Sequence, residues 1–148
     1  MEIFIGADYR GFERKNELLG FLAGENFRVT DLGAFNDNEN DFNDAAIAVS
    51  KNVRENPGSF GILICDSAHG MTIQANRFKG IRAAHCADEL SAKLAREHDD
   101  ANILCLSAHD MNAEKMQKII TIFLNTNFEN LERRVRRINR LDEREDYD

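Results

Sequence analysis

The sequence predicts an α/β fold, a five-stranded parallel sheet with helices on both faces, and three observations predict it. Five short apolar runs rich in Ile, Val, Leu and Phe alternate with amphipathic stretches from one end of the chain to the other. Each run is too short for a helix and too uniformly apolar for a strand with one wet face, so it suits a strand covered on both sides. Alternation of this kind implies βαβ crossovers and a doubly wound, Rossmann-like sheet.

The expected strands are Met1–Gly6, Phe27–Asp31, Phe60–Cys65, Gly80–Ala84 and Ala101–Leu106. The helical stretches between and after them are Phe12–Ala23, Asp41–Glu55, His69–Asn76, Asp88–Glu97 and Asn112–Asn125. In the last, Met116, Ile119, Ile120 and Phe123 recur at the spacing of one helix face. A sixth helical period runs over Glu132–Arg140. The single proline, Pro57, stands beside Gly58 before the third strand and reads as a turn. No repeat or linker divides the 148 residues, so one domain over 1–148 is expected, with a charged tail from 142 to 148 that frays.

Bulk properties narrow the function. Hydrophobic residues make up 43% and charged residues 30%, no run is long enough to span a bilayer, and Met1–Gly6 is too short and acidic for a signal peptide. A cytoplasmic protein is expected. The net charge of −7 argues against nucleic acid as a partner. Against that background Arg133, Arg134, Arg136, Arg137 and Arg140 form a local basic cluster, better suited to a small anion. Cys65, Cys86 and Cys105 show no CxxC spacing and read as reduced thiols.

In a doubly wound sheet, ligands bind beyond the carboxyl ends of the strands. Cys65-Asp66-Ser67-Ala68-His69-Gly70 leaves the third strand and enters a helix. A thiol there gains a lowered pKa and serves as base or nucleophile; alternatively it is a buried cysteine followed by a plain N-cap. Asp8, after the first strand, either hydrogen-bonds a sugar hydroxyl or caps the first helix. Gly6–Gly11 carries neither a dinucleotide fingerprint nor a P-loop. His98 is either a general acid or a histidine favoured by a helix C-terminus. A Cys105-x3-His109 pair is poor grounds for a metal site. Arg133 and Arg137, four apart, share a helix face and suit a phosphate, although a solvated face would look the same.

Taken together, these places resemble the ribose-5-phosphate isomerase B group, which includes the two subunits of galactose-6-phosphate isomerase. Ile62–Ala84 (ILICDSAHGMTIQANRFKGIRAA) is similar to its ILICGTGxGMSIAANKxxGIRAA, Ile5–Lys15 to IGSDHAGFxLK, Ala95–Leu104 to AREHNNANVL, and Arg133–Leu141 to RHxRRxxKI. The resemblance implies an aldose–ketose isomerase that works through an enediolate without metal or organic cofactor, on ribose 5-phosphate and ribulose 5-phosphate. It implies Cys65 as the base, amides of Asp66 to Gly70 around the enediolate oxygen, and His98, Ser67 and Asp8 as ring-opening and hydroxyl-binding groups. Tyr9, Ala68, His69, Asp99 and His109 fall at substrate-binding positions, and Arg133 and Arg137 match the phosphate-binding arginines. It also implies a homodimer or tetramer with the site shared between subunits and the C-terminal helix used in dimerisation.

Four departures fall inside the site. Asp66-Ser67-Ala68 replaces Gly-Thr-Gly, Tyr9 replaces His, Asp99 replaces Asn, and Ser107-Ala108-His109 replaces Gly-Gly-Arg. A carboxylate at ~5 Å in an effective dielectric of about 20 would oppose an enediolate by about 3 kcal/mol. Unless Asp66 is paired or turned away, it would also raise the Cys65 pKa. Ala68 occupies a place where glycine relieves backbone strain. The missing arginine would have to be replaced by His109 or Arg134. Such changes also fit a relative with another aldose phosphate as substrate, or one that binds sugar phosphate without turnover. Asn40–Ala45 (NDFNDA) is similar to the galactose-6-phosphate isomerase subunit that lacks the cysteine, which this chain keeps.

Overall fold

The computed structural model describes residues 1–143 and forms a five-stranded, all-parallel sheet in the order β2-β1-β3-β5-β4. Its strands are β1 (Glu2–Ala7), β2 (Arg28–Asp31), β3 (Phe60–Cys65), β4 (Ala83–His85) and β5 (Ile103–Ser107). Between them run α1 (Phe12–Gly24), α2 (Phe42–Glu55), α3 (His69–Ala75) and α4 (Glu89–Asp99); α5 (Ala113–Asn125) and α6 (Glu132–Asp142) follow.

Side-chain alternation along the strands builds two cores. Ile3, Ile5, Ile62, Ile64, Leu104 and Leu106 face α1, α4 and α5, while Phe4, Leu63, Cys65, Ile103 and Cys105 face α2 and α3. The expected face of α5 is the buried one, with Met116, Ile119, Ile120 and Phe123 fully enclosed. Gly11 lets α1 approach the sheet, because a Cβ there would strike the Ile64 carbonyl. No helix among the described residues is long and apolar enough to cross a membrane.

Most boundaries shift by one or two residues, and two differences bear on the architecture. The fourth strand was expected over Gly80–Ala84 but occupies only Ala83–His85. Gly80 has φ 80°, outside the strand region, and the Asn102 side chain accepts from the Arg82 N–H and donates to the Gly80 carbonyl, ending the ladder. On the outer edge the Asn76 amide pairs with both backbone groups of Ala83, which protects an edge strand from further pairing. Of the tail expected to fray, Asp142 instead ends α6, with its carboxylate accepting from the Gly80 N–H at 3.0 Å. Residues 144–148 of that tail lie outside the described residues.

Lys15 is 0% exposed. Its ammonium lies 2.6 and 2.7 Å from the Asp31 carboxylate oxygens and donates to the Ala34 carbonyl at 2.6 Å. Three acceptors around one cation are what its burial requires. The pair ties α1 to the end of β2 beside the crevice.

Candidate active site

The strand order reverses between β1 and β3, which places the crevice beyond Ala7 and Cys65. There the Asp8 N–H donates to the Ile64 carbonyl at 3.2 Å, so the turn after β1 lies directly against the end of β3. Asp8 is buried, and its carboxylate accepts from the Gly11 N–H at 2.9 Å. It closes the turn before α1; the N-cap itself is Gly11. Burial pushes the Asp8 carboxyl above its ordinary range, against the lowering pull of the Gly11 and Arg10 amides, and Asp66 adds to the rise. Tyr9 donates its N–H to the Asn40 side chain at 2.8 Å, and the Arg10 guanidinium lies 5.2 Å from its ring centre.

Cys65 ends β3 with 4% of its surface exposed. Its sulfur accepts from the Ala68 N–H at 3.2 Å. The expectation of a lowered thiol pKa does not hold at rest. Burial raises it, and the opposing amides of Ala68 and Met71 do not overcome burial together with the Asp8 and Asp66 charges. Ala68 is the N-cap of α3 with φ 68°, the left-handed conformation that glycine would take without cost. The Ser67 hydroxyl is exposed and accepts weakly from the His69 N–H at 3.4 Å. The His69 ring meets His85 edge-on at 5.3 Å. Gly70 is held free of a side chain by Phe42, whose ring a Cβ would meet at 2.6 Å.

Asp66 does not turn into the crevice wall. It is 56% exposed, and its carboxylate lies 3.5 Å from His109 Nδ1. Cys105 and His109 do not form a metal pair, because the Cys105 thiol is fully enclosed in the sheet while His109 is 73% exposed. Burial drives that thiol up to about 12. Among the described residues no group of three His, Cys, Asp or Glu side chains could hold a metal ion.

The remaining expected residues lie at the opposite end of the sheet. His98 and Asp99 close α4, where the chain turns through Asp100 and Ala101 into the first residue of β5, whereas Cys65 pairs with the last, Ser107. Those two ends of β5 are about 13 Å apart. Arg96 fixes this end: buried, it donates to Asp100 at 2.8 Å and to the Ala101 carbonyl at 2.7 Å, and its guanidinium stacks 4.8 Å from the Phe60 ring centre. Arg133 and Arg137 are exposed on α6, which packs beside α4. Arg134 is not free to replace a missing anion-binding arginine. It donates to the Glu97 carbonyl at 2.8 Å and pairs with Glu129 at 2.8 Å, anchoring α6 to α4.

Cys65, Asp66, Ser67, Ala68, His69, Gly70, Asp8, Tyr9 and His109 therefore share one end of the protomer, and His98, Asp99, Arg133 and Arg137 share the other. Sequence reasoning named Ser107 only as a departure from the family pattern and gave it no role; its hydroxyl donates to the Asp66 carbonyl at 2.7 Å and holds the loop beyond Cys65. It gave no role to Lys15 either, although that residue ends the first stretch of family-like sequence. A polar residue closing an otherwise apolar strand was the available signal for Ser107.

The sequence model described as Ribose/Galactose Isomerase matches residues 3–141. A Mycoplasma pneumoniae protein named as a probable ribose-5-phosphate isomerase B is 41% identical over 128 residues, 86% of this chain and 84% of that protein. The crystal structure of a ribose 5-phosphate isomerase from Thermotoga maritima superposes with a TM-score of 0.93 at 38% identity, covering 97% of this chain and 98% of its own. A Mycoplasma genitalium ribose-5-phosphate isomerase B with bound ribulose-5-phosphate gives 0.91 at 38% identity, covering 95% of this chain and 93% of its own.

Proposed function

This chain belongs to the ribose/galactose isomerase family, and from that premise we propose that it interconverts ribose 5-phosphate and ribulose 5-phosphate, without a cofactor, at a site completed by a second copy of itself. The observation that carries the reading is the placement of Cys65 at the switch point with the Ala68 amide directed at its sulfur at 3.2 Å. The relative with bound ribulose-5-phosphate supports the choice of substrate.

In this reading Cys65, as thiolate, takes the proton from C2 of the open-chain aldose and returns it to C1, while a proton passes from the C2 hydroxyl to the C1 oxygen, so that the carbonyl moves from C1 to C2. Negative charge develops on the carbonyl oxygen as the enediolate forms. Amides of the Asp66–Gly70 loop stabilise it, and such preorganised donors are among the strongest contributions available to an enzyme. Asp8 and Ser67 bind hydroxyls, and Tyr9 and His69 line the same crevice. A second copy brings His98 to open the furanose ring, Asp99 beside it, and Arg133 and Arg137 to hold the phosphate. That arrangement reconciles the two separated groups, since one protomer cannot join them. It also delivers cations toward a thiol whose own surroundings are acidic, which favours the thiolate when substrate and partner are in place. The assembly is a homodimer, or a tetramer of two such dimers, and the three free buried cysteines fit the reducing cytoplasm.

A second reading, a relative that binds sugar phosphate without turnover or turns over a different aldose phosphate, is favoured by one observation: burial, with the Asp8 and Asp66 charges adding to it, holds the resting thiol above its ordinary pKa. A coupled assay on ribose 5-phosphate and a panel of aldose phosphates separates these. The primary reading expects turnover of ribose 5-phosphate that Cys65→Ala abolishes. Binding without turnover of any sugar would support the second.

A further inference from the structure

The turn after β3 and the turn after β5 are stitched together. Ala108 N–H donates to the Cys65 carbonyl at 2.8 Å, His109 N–H to the Asp66 carbonyl at 3.0 Å, and the Ser107 hydroxyl to that same carbonyl at 2.7 Å. Ser107 is in turn 3.1 Å from the Asp110 carboxylate. This lattice sets the His109 ring against the Asp66 side chain, with Nδ1 3.5 Å from Oδ1. Asp66 follows the sulfur-bearing residue directly, so whatever neutralises it changes the field at Cys65.

From this geometry we infer that Asp66 and His109 act as one unit that sets the charge facing Cys65, with His109 a positioning residue that offsets the Asp66 carboxylate when its ring is protonated. The inference rests on the reading of Cys65 as the working base. A carboxylate alone beside the thiol opposes both the thiolate and an enediolate. The same carboxylate beside an imidazolium forms a neutral pair and opposes neither. The other charged and titratable groups around the two residues are Asp8 with Arg10 beyond β1, Cys105 in β5, and Asp110 beside His109; Asp110 also acts on His85, whose ring meets His69. Of these, none other than His109 is in ion-pair contact with Asp66 among the described residues. Because both partners are partly exposed, water screens the effect, and the pair tunes the thiol rather than switching it.

Histidines change charge between about pH 5 and pH 8, so the unit predicts a pH signature. The test is the rate at which methyl methanethiosulfonate modifies Cys65, followed by peptide mass spectrometry, in the wild type, Asp66→Asn, His109→Ala and the double variant. This readout needs no turnover, so its failure is separable from failure of the isomerase reading. At about pH 6 the wild type should react roughly two- to fivefold faster than His109→Ala, the range set by a partly exposed ion pair. The two should converge above about pH 8, and His109→Ala should have a smaller effect in the Asp66→Asn background, where no carboxylate holds the ring beside Cys65. Equal effects of His109→Ala in both backgrounds, or no effect at either pH, would overturn the inference. The coupling seen in a protein without isomerase activity would uphold the pair while removing the proposed function.

Discussion

The Ala68 N–H donates to the Cys65 sulfur at 3.2 Å from a backbone held at φ 68°. The chain bends through a left-handed residue in order to aim an amide at the thiol, and it does so with a side chain that the conformation disfavours by about 1 kcal/mol. The Ala68 methyl is buried in the core between β3 and α3 and offsets much of that cost. A β-branched residue has no such compensation. Ala68→Val should destabilise the fold by at least about 2 kcal/mol and slow Cys65 modification, read by urea unfolding and thiol reactivity together.

Gly11 is the contact through which α1 reaches the sheet. A Cβ there meets backbone, the Ile64 carbonyl, which has no rotamer to escape into. Gly11→Ala should therefore cost about 2–3 kcal/mol and displace Asp8, whose carboxylate accepts from the Gly11 N–H. Loss of stability and loss of turnover should appear together in this variant.

Asp8 separates stability from function. Its carboxyl is raised by burial, so the folded state holds the proton more tightly than the unfolded state does. The stabilisation from that proton is complete below the ordinary carboxyl pKa and is lost as pH rises through the folded value. At neutral pH the buried carboxylate is a burden. Asp8→Asn keeps the oxygen that accepts from Gly11 and removes the charge, so it should raise the unfolding midpoint at neutral pH while lowering turnover.

Much of this was legible in the sequence. The alternation of apolar runs and helical periods located every strand and helix to within a few residues, because strands covered on both faces advertise themselves by composition. The fourth strand was too long by its first residues because the amide of Asn102, distant in sequence, ends the ladder. Lys15 was invisible for a different reason. A lysine on a helix is ordinarily solvated, and only the tertiary arrangement brings Asp31 and Ala34 around it. The thiol of Cys65 was read both ways, lowered by a helix N-terminus or raised by the adjacent Asp66; burial, which decides the direction, and the approach of Asp8 are three-dimensional facts. The family resemblance named residues at both ends of the protomer and implied a site shared between subunits; how far apart the two groups lie within one protomer is a three-dimensional fact.

The Lys15–Asp31 pair should be expensive to break. Lys15→Met would leave the Asp31 carboxylate and the Ala34 carbonyl without their cation, at a cost of about 2–3 kcal/mol, reduced from the fully buried range because Asp31 is partly wet. Urea unfolding of Lys15→Met beside Lys15→Met/Asp31→Leu tests this, and the double variant should recover part of the loss.

Alkaline stability follows from the sulfurs. Burial pushes Cys86 from 9.0 up to about 11 and Cys105 from 9.0 to about 12. Above about pH 9 the unfolded chain releases these protons and the folded chain keeps them, so unfolding gains as pH rises. Stability should be level below about pH 8 and fall by roughly 2–3 kcal/mol by about pH 10. Cys105→Ala should flatten the decline.

The central claim is that the working site joins the Cys65 end of one copy to the His98 end of another. Mixing two inactive variants, Cys65→Ala and His98→Ala, after brief denaturation and refolding together tests it most directly. The account predicts that each variant alone is inactive and that the mixture regains about a quarter of wild-type isomerase activity, the statistical share for an isologous dimer in which one site of each mixed pair is intact. No recovered activity in a mixture shown by mass to contain mixed dimers would contradict it.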